Sequence, residues 1–328
     1  MSRLGYTRRM LVDRFGREVT DIRISVTKRC NFSCVYCHDE GLGPVLRPNA
    51  RHDDEMTVAE IERIVRIARE FGIRSVKFTG GEPLVRADME AIVDRTVRHI
   101  PDVSMTTNGY KLAARAESLR AAGLKRVNVS ADSLDPKAFR EIRHGALAPV
   151  LAGIEAALRV GLKPVKLNMV VFAYTVEHID EMIEFVSHGD GLKLQLIQFM
   201  PELAGQRDWM VDIDEVKRRL AARADRVLTR DMHHRRIFCF NGAEVEIVDP
   251  VYNAEFCFNC HRIRVTHDGK LKGCLNRDDD LVPARDLDDE GLRLAFRKVV
   301  ANRVPYYGVH VKDYPRREAA QSSGLPVN

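Results

Sequence analysis

The feature that most narrows the fold of this sequence is an alternation of β-branched runs with helical periods, repeated six times between residues 21 and 200. "DIRISVT" (21–27) alternates apolar and polar residues and predicts a strand. "TVAEIERIVRIAREFG" then places Ile61, Ile64, Val65, Ala68 and Phe71 at helical spacing. Thr57 with Glu60 three residues on makes a capping box, and Gly72 closes the helix. Further strands are predicted over 73–79, 102–106, 126–131, 164–172 and 192–200, and helices over 86–99, 111–122, 149–161 and 176–189. Short turns between unlike elements imply parallel strands joined by crossover helices. The fold class is therefore α/β, a closed or partly closed barrel whose chemistry gathers at the C-terminal strand ends. A cysteine-rich loop follows the first strand, "TGGEP" the second, "TTNG" the third and "SADS" the fourth.

Seven cysteines fall in two groups and one singlet. Cys30, Cys34 and Cys37 lie in "CNFSCVYC". Disulfides want pairs and structural zinc wants four ligands, so three thiolates alone satisfy neither. They suit a four-iron cluster with one iron left open. Cys257, Cys260 and Cys274 form the second group. With His261, His267 or Cys239 they could instead make a structural zinc site, and spacing leaves both readings open. Cys239 in "RIFCF" reads as a buried strand residue.

No apolar run approaches the ~20 residues of a membrane span, and the basic N-terminus lacks a signal peptide's apolar core. A cytoplasmic location is expected, where cysteines stay reduced unless they hold metal or do chemistry. At 328 residues, 45% hydrophobic and 30% charged, the chain is an ordinary globular protein. Its net charge of +5 does not suggest DNA, but clustered Arg and Lys could hold a polyanionic small molecule. Arg262 and Arg264 alternate in "RIRVT", so as strand residues they share one face, beside Cys260. Lys77 precedes the Gly-Gly turn and reads equally as a surface lysine. In "TGGEP", Gly80 and Gly81 allow close backbone approach to a ligand, and Glu82 offers a carboxylate for a ligand amine.

These motifs carry a resemblance. "CNFSCVYC" resembles the CxxxCxxC loop of the radical S-adenosylmethionine (SAM) superfamily, and "TGGEP" its methionine-amine motif. "DRFGREVTDIRISVTKRC", "TTNGYKL", "RVNVSADSLD" and "CFNCHRIRVTHDGKLKGCL" extend the similarity to the MoaA family, the GTP 3′,8-cyclases of molybdenum cofactor biosynthesis. The HDEG after Cys37 is closest to archaeal members. The resemblance implies a partial (β/α)6 TIM-type barrel over 1–230 and a C-terminal region over 231–328 that carries a second cluster and binds substrate. It implies one [4Fe–4S] cluster on Cys30, Cys34 and Cys37, whose open iron chelates SAM, and a second on Cys257, Cys260 and Cys274, whose open iron faces guanine. Tyr36, Gly81, Ser130 and Met200, with Glu82, match SAM-site positions. Arg23, Lys77, Thr106, Lys166, Arg262 and Arg264 match GTP contacts. The implied chemistry is reductive cleavage of SAM to a 5′-deoxyadenosyl radical, removal of hydrogen from C3′ of GTP, and attack of C3′ on C8. The implied partners are an electron donor such as ferredoxin or flavodoxin and a MoaC-type cyclic pyranopterin monophosphate synthase that consumes the product.

The sequence departs from the family pattern at several points. Bacterial members carry Arg where Gln195 stands and Lys where Ser75 stands, so two phosphate contacts are expected to be absent or replaced. The chain lacks the terminal Gly-Gly of many members, and His261 replaces a small polar residue. Region 40–56 reads as irregular, a lid or a loop. Two other functions compete. A peptide-modifying radical enzyme usually carries more C-terminal cysteines, and a zinc-binding module leaves the first cysteine loop and "TGGEP" unexplained.

Overall fold

The computed structural model describes residues 10–38, 46–50 and 53–308. The ending without Gly-Gly lies outside them, as does part of region 40–56. Six parallel strands, β1 (Asp21–Ser25), β2 (Ser75–Thr79), β3 (Asp102–Thr107), β4 (Arg126–Ser130), β5 (Val165–Val171) and β6 (Leu192–Gln198), lie side by side in chain order. Helices α1 (Val58–Glu70), α2 (Met89–Val97), α3 (Leu112–Ala121), α4 (Pro136–Arg143), α5 (Leu147–Arg159) and α6 (Ile179–Ser187) make the crossovers. The six strand–helix units read from the sequence are all present.

Helix α1 shows how local sequence fixes these units. The Thr57 side chain accepts from the Glu60 amide, and the Glu60 carboxylate accepts from the Thr57 amide. Ile61, Ile64, Val65 and Ala68 are buried on one face, and Gly72 leaves the helix at φ 86°. Helix α4 is an addition to the sequence reading. Its signal is Asp135, whose side chain accepts from the Ala138 amide, followed by Pro136 in the first turn.

The C-terminal region is knit into the same sheet. After α7 (Pro201–Ala204) and α8 (Ile213–Ala221), the chain forms β7 (Arg226–Thr229), β8 (Arg236–Phe240) and β9 (Ala243–Val248), with β9 parallel to β6. Then come α9 (Ala254–Phe258), β10 (Arg262–Val265), β11 (Lys270–Lys272), β12 (Val282–Pro283) and α10 (Asp289–Ala301). Strand β10 pairs parallel with β1 at the opposite flank. Residues on both sides of position 230 thus belong to one sheet, and β7 pairs with β8 across it. The outermost strands, β7 and β12, are short, which limits edge-to-edge pairing.

Apolar alternates such as Ile22, Ile24, Val76 and Phe78 are buried in the core. Cys239 is buried in β8, as its apolar neighbours predict. Among the described residues no helix is long and apolar enough to cross a membrane.

Candidate active site

The strand alternates opposite the apolar ones line a single cavity of about 690 Å³, to which all eight parallel strands contribute. Barrel interiors are usually filled by branched apolar side chains. This one is walled by ten lysines and arginines and three carboxylates. The register makes the charge acute. Arg264 of β10 pairs with Arg23 of β1, and Arg23 pairs with Lys77 of β2. Three cations in one row across adjacent strands repel one another, since like charges directly opposite are destabilising. Burial pushes the Lys77 ammonium well below its usual range, and Arg23 and Arg262 push it further. Lys77 is therefore a cavity residue and not a surface lysine; its ammonium donates to Asn128 Oδ1 at 3.0 Å.

Thr106, Lys166, Arg262, Tyr36 and Met200 line the same cavity, as do Cys257, Cys260 and Cys274. Lys166 is tied at 2.6 Å to Glu246, which also accepts from Gln195 at 2.7 Å and faces Arg230 and Arg235. Glu246 is held near pKa 2 although burial opposes it, Arg235 and Lys166 being the strongest of the cations around it. Glu246, Arg230 and Arg235 escape sequence reading because β7 to β9 meet β6 only in the fold. Ser75 lines the wall as well. Gln195 and Ser75 thus face the same cavity as Arg230 and Arg235.

The first cysteine loop leaves the end of β1 and packs against the turn after β2. The amides of Gly81 and Glu82 donate to the carbonyls of Thr27 and Arg29, both at 2.8 Å. A Cβ on Gly80 would sit 2.4 Å from the Thr27 carbonyl oxygen, and one on Gly81 2.4 Å from that of Arg29. The two glycines therefore admit the backbone leading into the cysteine loop. Glu82 is buried and accepts from Thr107 Oγ1 at 2.7 Å and the amides of Leu84 and Asn108 at 2.9 and 2.5 Å. Its carboxylate ties two strand-end segments together, those after β2 and β3, and neither Gly81 nor Glu82 is on the cavity wall. Ser130 closes β4 beside Asn168 of β5.

A buried network the sequence did not reveal backs this loop. Tyr36 donates to Asp132 at 2.6 Å, and Arg143 Nη1 reaches both the Asp132 carboxylate and the Tyr36 hydroxyl, at 2.7 and 2.8 Å. Asp132 also accepts from the Val170 amide. Burial pushes the Cys30 thiol up to about 12 and Cys34 to about 11, and each is raised further by its neighbouring cysteines. Such thiols stay protonated unless a metal takes them, because a coordinating metal deprotonates its thiol outright. Among the described residues no three Cys, His, Asp or Glu side chains stand converged as a metal site, but three thiols near enough to raise one another are the soft donor set that an iron–sulfur cluster takes.

The second cysteine group sits on α9, on the turn after it and just beyond β11. His261 Nδ1 lies 3.0 Å from the Glu18 carbonyl, and His267 Nε2 lies 3.0 Å from an Asp54 carboxylate oxygen. Neither histidine, nor Cys239, is on the wall with these three cysteines.

Comparison with known proteins places these features. The pattern of the Radical SAM superfamily matches residues 24–186, and that of Molybdenum Cofactor Synthesis C matches residues 192–309. A protein of Halobacterium salinarum named "Probable GTP 3′,8-cyclase" is 50% identical over 330 aligned positions, covering 92% of this chain and 91% of its own. The chain belongs to the GTP 3′,8-cyclase family. A second cyclase relative so named, from Methanocella arvoryzae, is 44% identical and covers 91% of this chain and 95% of its own. Streptococcus suis SuiB bound to S-adenosylmethionine shares the fold, with a TM-score of 0.63 at 16% identity over 93% of this chain and 76% of that one. Native anSMEcpe with bound AdoMet aligns at TM-score 0.57 and 16% identity, over 85% of this chain and 80% of that one.

Proposed function

We infer that the protein is a GTP 3′,8-cyclase acting in molybdenum cofactor biosynthesis. The observation that carries the reading is the row Arg264–Arg23–Lys77 inside the barrel, three mutually repelling cations on the wall that also holds Cys257, Cys260 and Cys274. A triphosphate relieves that repulsion, and Arg forks grip phosphate oxygens in pairs. The names of the relatives supply the substrate.

In this reading Cys30, Cys34 and Cys37 hold one [4Fe–4S] cluster, and Cys257, Cys260 and Cys274 in the C-terminal region, 231–328, hold the second. Tyr36, Gly81, Ser130 and Met200 contact S-adenosylmethionine, while Glu82 fixes the turn that carries Gly81. When bound, the first cluster and S-adenosylmethionine would supply a 5′-deoxyadenosyl radical for removal of hydrogen from C3′ of GTP, leaving methionine and 5′-deoxyadenosine; joining C3′ to C8 would then leave a nucleotide radical that takes one electron and one proton to give 3′,8-cyclo-7,8-dihydro-GTP. The chain's own work is positional. Arg23, Lys77, Lys166, Arg262 and Arg264 hold the triphosphate, Thr106 adds a hydroxyl to the wall, and the strand walls keep water from the reacting carbons. A ferredoxin- or flavodoxin-type donor supplies electrons, a MoaC-type synthase takes the product, and both reactions belong to the cytoplasm. Anaerobic incubation with GTP, S-adenosylmethionine and dithionite, followed by mass identification of products, tests this. The cyclic nucleotide is expected; cleavage of S-adenosylmethionine with GTP untouched at every concentration overturns the assignment.

A further inference from the structure

Beneath the second cysteine group lies a cluster of buried charge, one member of which, Arg17, also reaches the cavity wall. Asp13, Arg17 and Arg303 come from the N-terminal strand-like segment and from the turn after α10. Their side chains are 0%, 5% and 1% exposed. Arg17 Nε donates to Asp13 Oδ2 at 2.8 Å, and Arg303 Nη1 lies 3.3 Å from the same oxygen. Asp13 Oδ1 is occupied by the amides of Phe15 and Arg17. One carboxylate thus serves two buried guanidiniums. Asp280 is a second buried carboxylate beside them: a Cβ on Gly273 would meet both its Oδ2 and Arg303 Cγ, and neither of its oxygens has a hydrogen-bond partner. An unmatched charge is strongly disfavoured in a protein interior.

Each arginine also grips the cysteine turn. Arg17 Nη1 donates to the Cys257 carbonyl at 2.8 Å, and Arg303 Nη2 to the Cys260 carbonyl at 2.7 Å. Gly273, next to Cys274, gives the Arg303 stem its path, since a Cβ there would sit 2.8 Å from Arg303 Cγ. Arg17 Nη2, Arg303 Nε and Arg303 Nη1 are buried with no hydrogen-bond acceptor. Fixed geometry, two guanidiniums and unused N–H groups converge on one place, the backbone turn of the second cysteine group. Three thiolates on metal form an anionic group there, and N–H donors and net charge are levers on such a group's stability and potential.

We propose that Asp13, Arg17 and Arg303 form a positioning unit for the second metal group: the two arginines fix the Cys257–Cys260 turn by its carbonyls, and their guanidiniums set positive charge beside the thiolate-bound metal. The inference rests on the reading that Cys257, Cys260 and Cys274 hold a metal group.

The test uses the full chain loaded anaerobically, with iron, sulfide and zinc counted first and the first cluster as internal control. Arg303→Gln removes positive charge and Asp13→Asn removes negative charge, so the unit predicts opposite shifts of the second cluster's midpoint potential, lower for Arg303→Gln and higher for Asp13→Asn. Each shift should reach about tenfold in the reduced-to-oxidised ratio, about 59 mV for one electron, with the first cluster unmoved. Arg303→Lys, which keeps the charge, should return the potential toward that of the unchanged protein. Shifts of the same sign, or none with the cluster retained, overturn the proposal. A chelator competition covers variants that load poorly: Arg303→Gln should lose second-site metal at least tenfold faster, and Arg303→Lys less so. If the unchanged protein holds zinc there, the second-cluster reading fails, but the chelator comparison still decides the unit's role; equal loss from all variants overturns it. If it holds no metal at those cysteines, the proposal falls with the reading beneath it.

Discussion

The two cysteine loops are backed by different arrangements of charge. Behind the first, Arg143 is matched one to one by Asp132, with Tyr36 bridging them, and Cys34 stays at about 11 even so. Behind the second, Arg17 and Arg303 share Asp13, and Cys260 is pulled below its usual range. The surroundings differ in step. The first loop is packed against Gly80, Gly81 and the Glu82 knot, a hydrogen-bonded turn that leaves little room for a second ligand charge. The second opens on the cationic wall where a polyanion can sit.

The largest expected effect that separates the loops comes from the cysteines themselves. Cys34→Ser should abolish reductive cleavage of S-adenosylmethionine while leaving metal at Cys257, Cys260 and Cys274; persistent 5′-deoxyadenosine formation in that variant sinks the first loop's role. Cys274→Ser should do the converse, removing second-site metal and GTP turnover but sparing the first cluster's absorption and EPR spectra. Normal GTP turnover there would make the C-terminal cysteines dispensable.

Removing one arginine from each loop sharpens the contrast. Arg143→Gln strands Asp132 as a buried, unmatched carboxylate and should destabilise the fold by about 3–5 kcal/mol in denaturant unfolding. Arg303→Gln leaves Asp13 still paired with Arg17, so its loss should be clearly smaller. Equal losses would mean that the charge balance described here has no energetic reality. At the substrate wall, Arg262→Ala or Arg264→Ala removes a charge-assisted contact worth ~1.5–3 kcal/mol, roughly a ten- to hundred-fold loss of GTP affinity by titration. Lys should rescue poorly if the grip is two-pronged. Cleavage of S-adenosylmethionine without substrate should survive in both.

Much of this was legible in the sequence wherever the signal is local. Helical and strand periods reported the parallel strands and their crossover helices, and the cysteine spacings singled out two groups, one after β1 and one around β10 and β11. The i, i+2 spacing of Arg262 and Arg264 placed both on one strand face, which is the cavity face. What stayed hidden depends on register between distant segments. Nothing near Arg23 announces that Lys77 and Arg264 flank it, because β10 joins β1 only after the whole chain has wrapped round. Glu82 looks like a ligand for an amine until the fold brings Thr107 and Asn108 to it. Asp13 and Arg17 were readable as an i, i+4 pair, but their link to Cys257 and Arg303 spans most of the chain.

Label transfer from GTP deuterated at C3′ tests most directly that both loops serve one cavity. The account predicts deuterium in the 5′-deoxyadenosine formed during turnover, because the radical made at the first loop takes its hydrogen from the nucleotide held at the second. Turnover that yields unlabelled 5′-deoxyadenosine, with the deuterium still at C3′ of GTP, would contradict it.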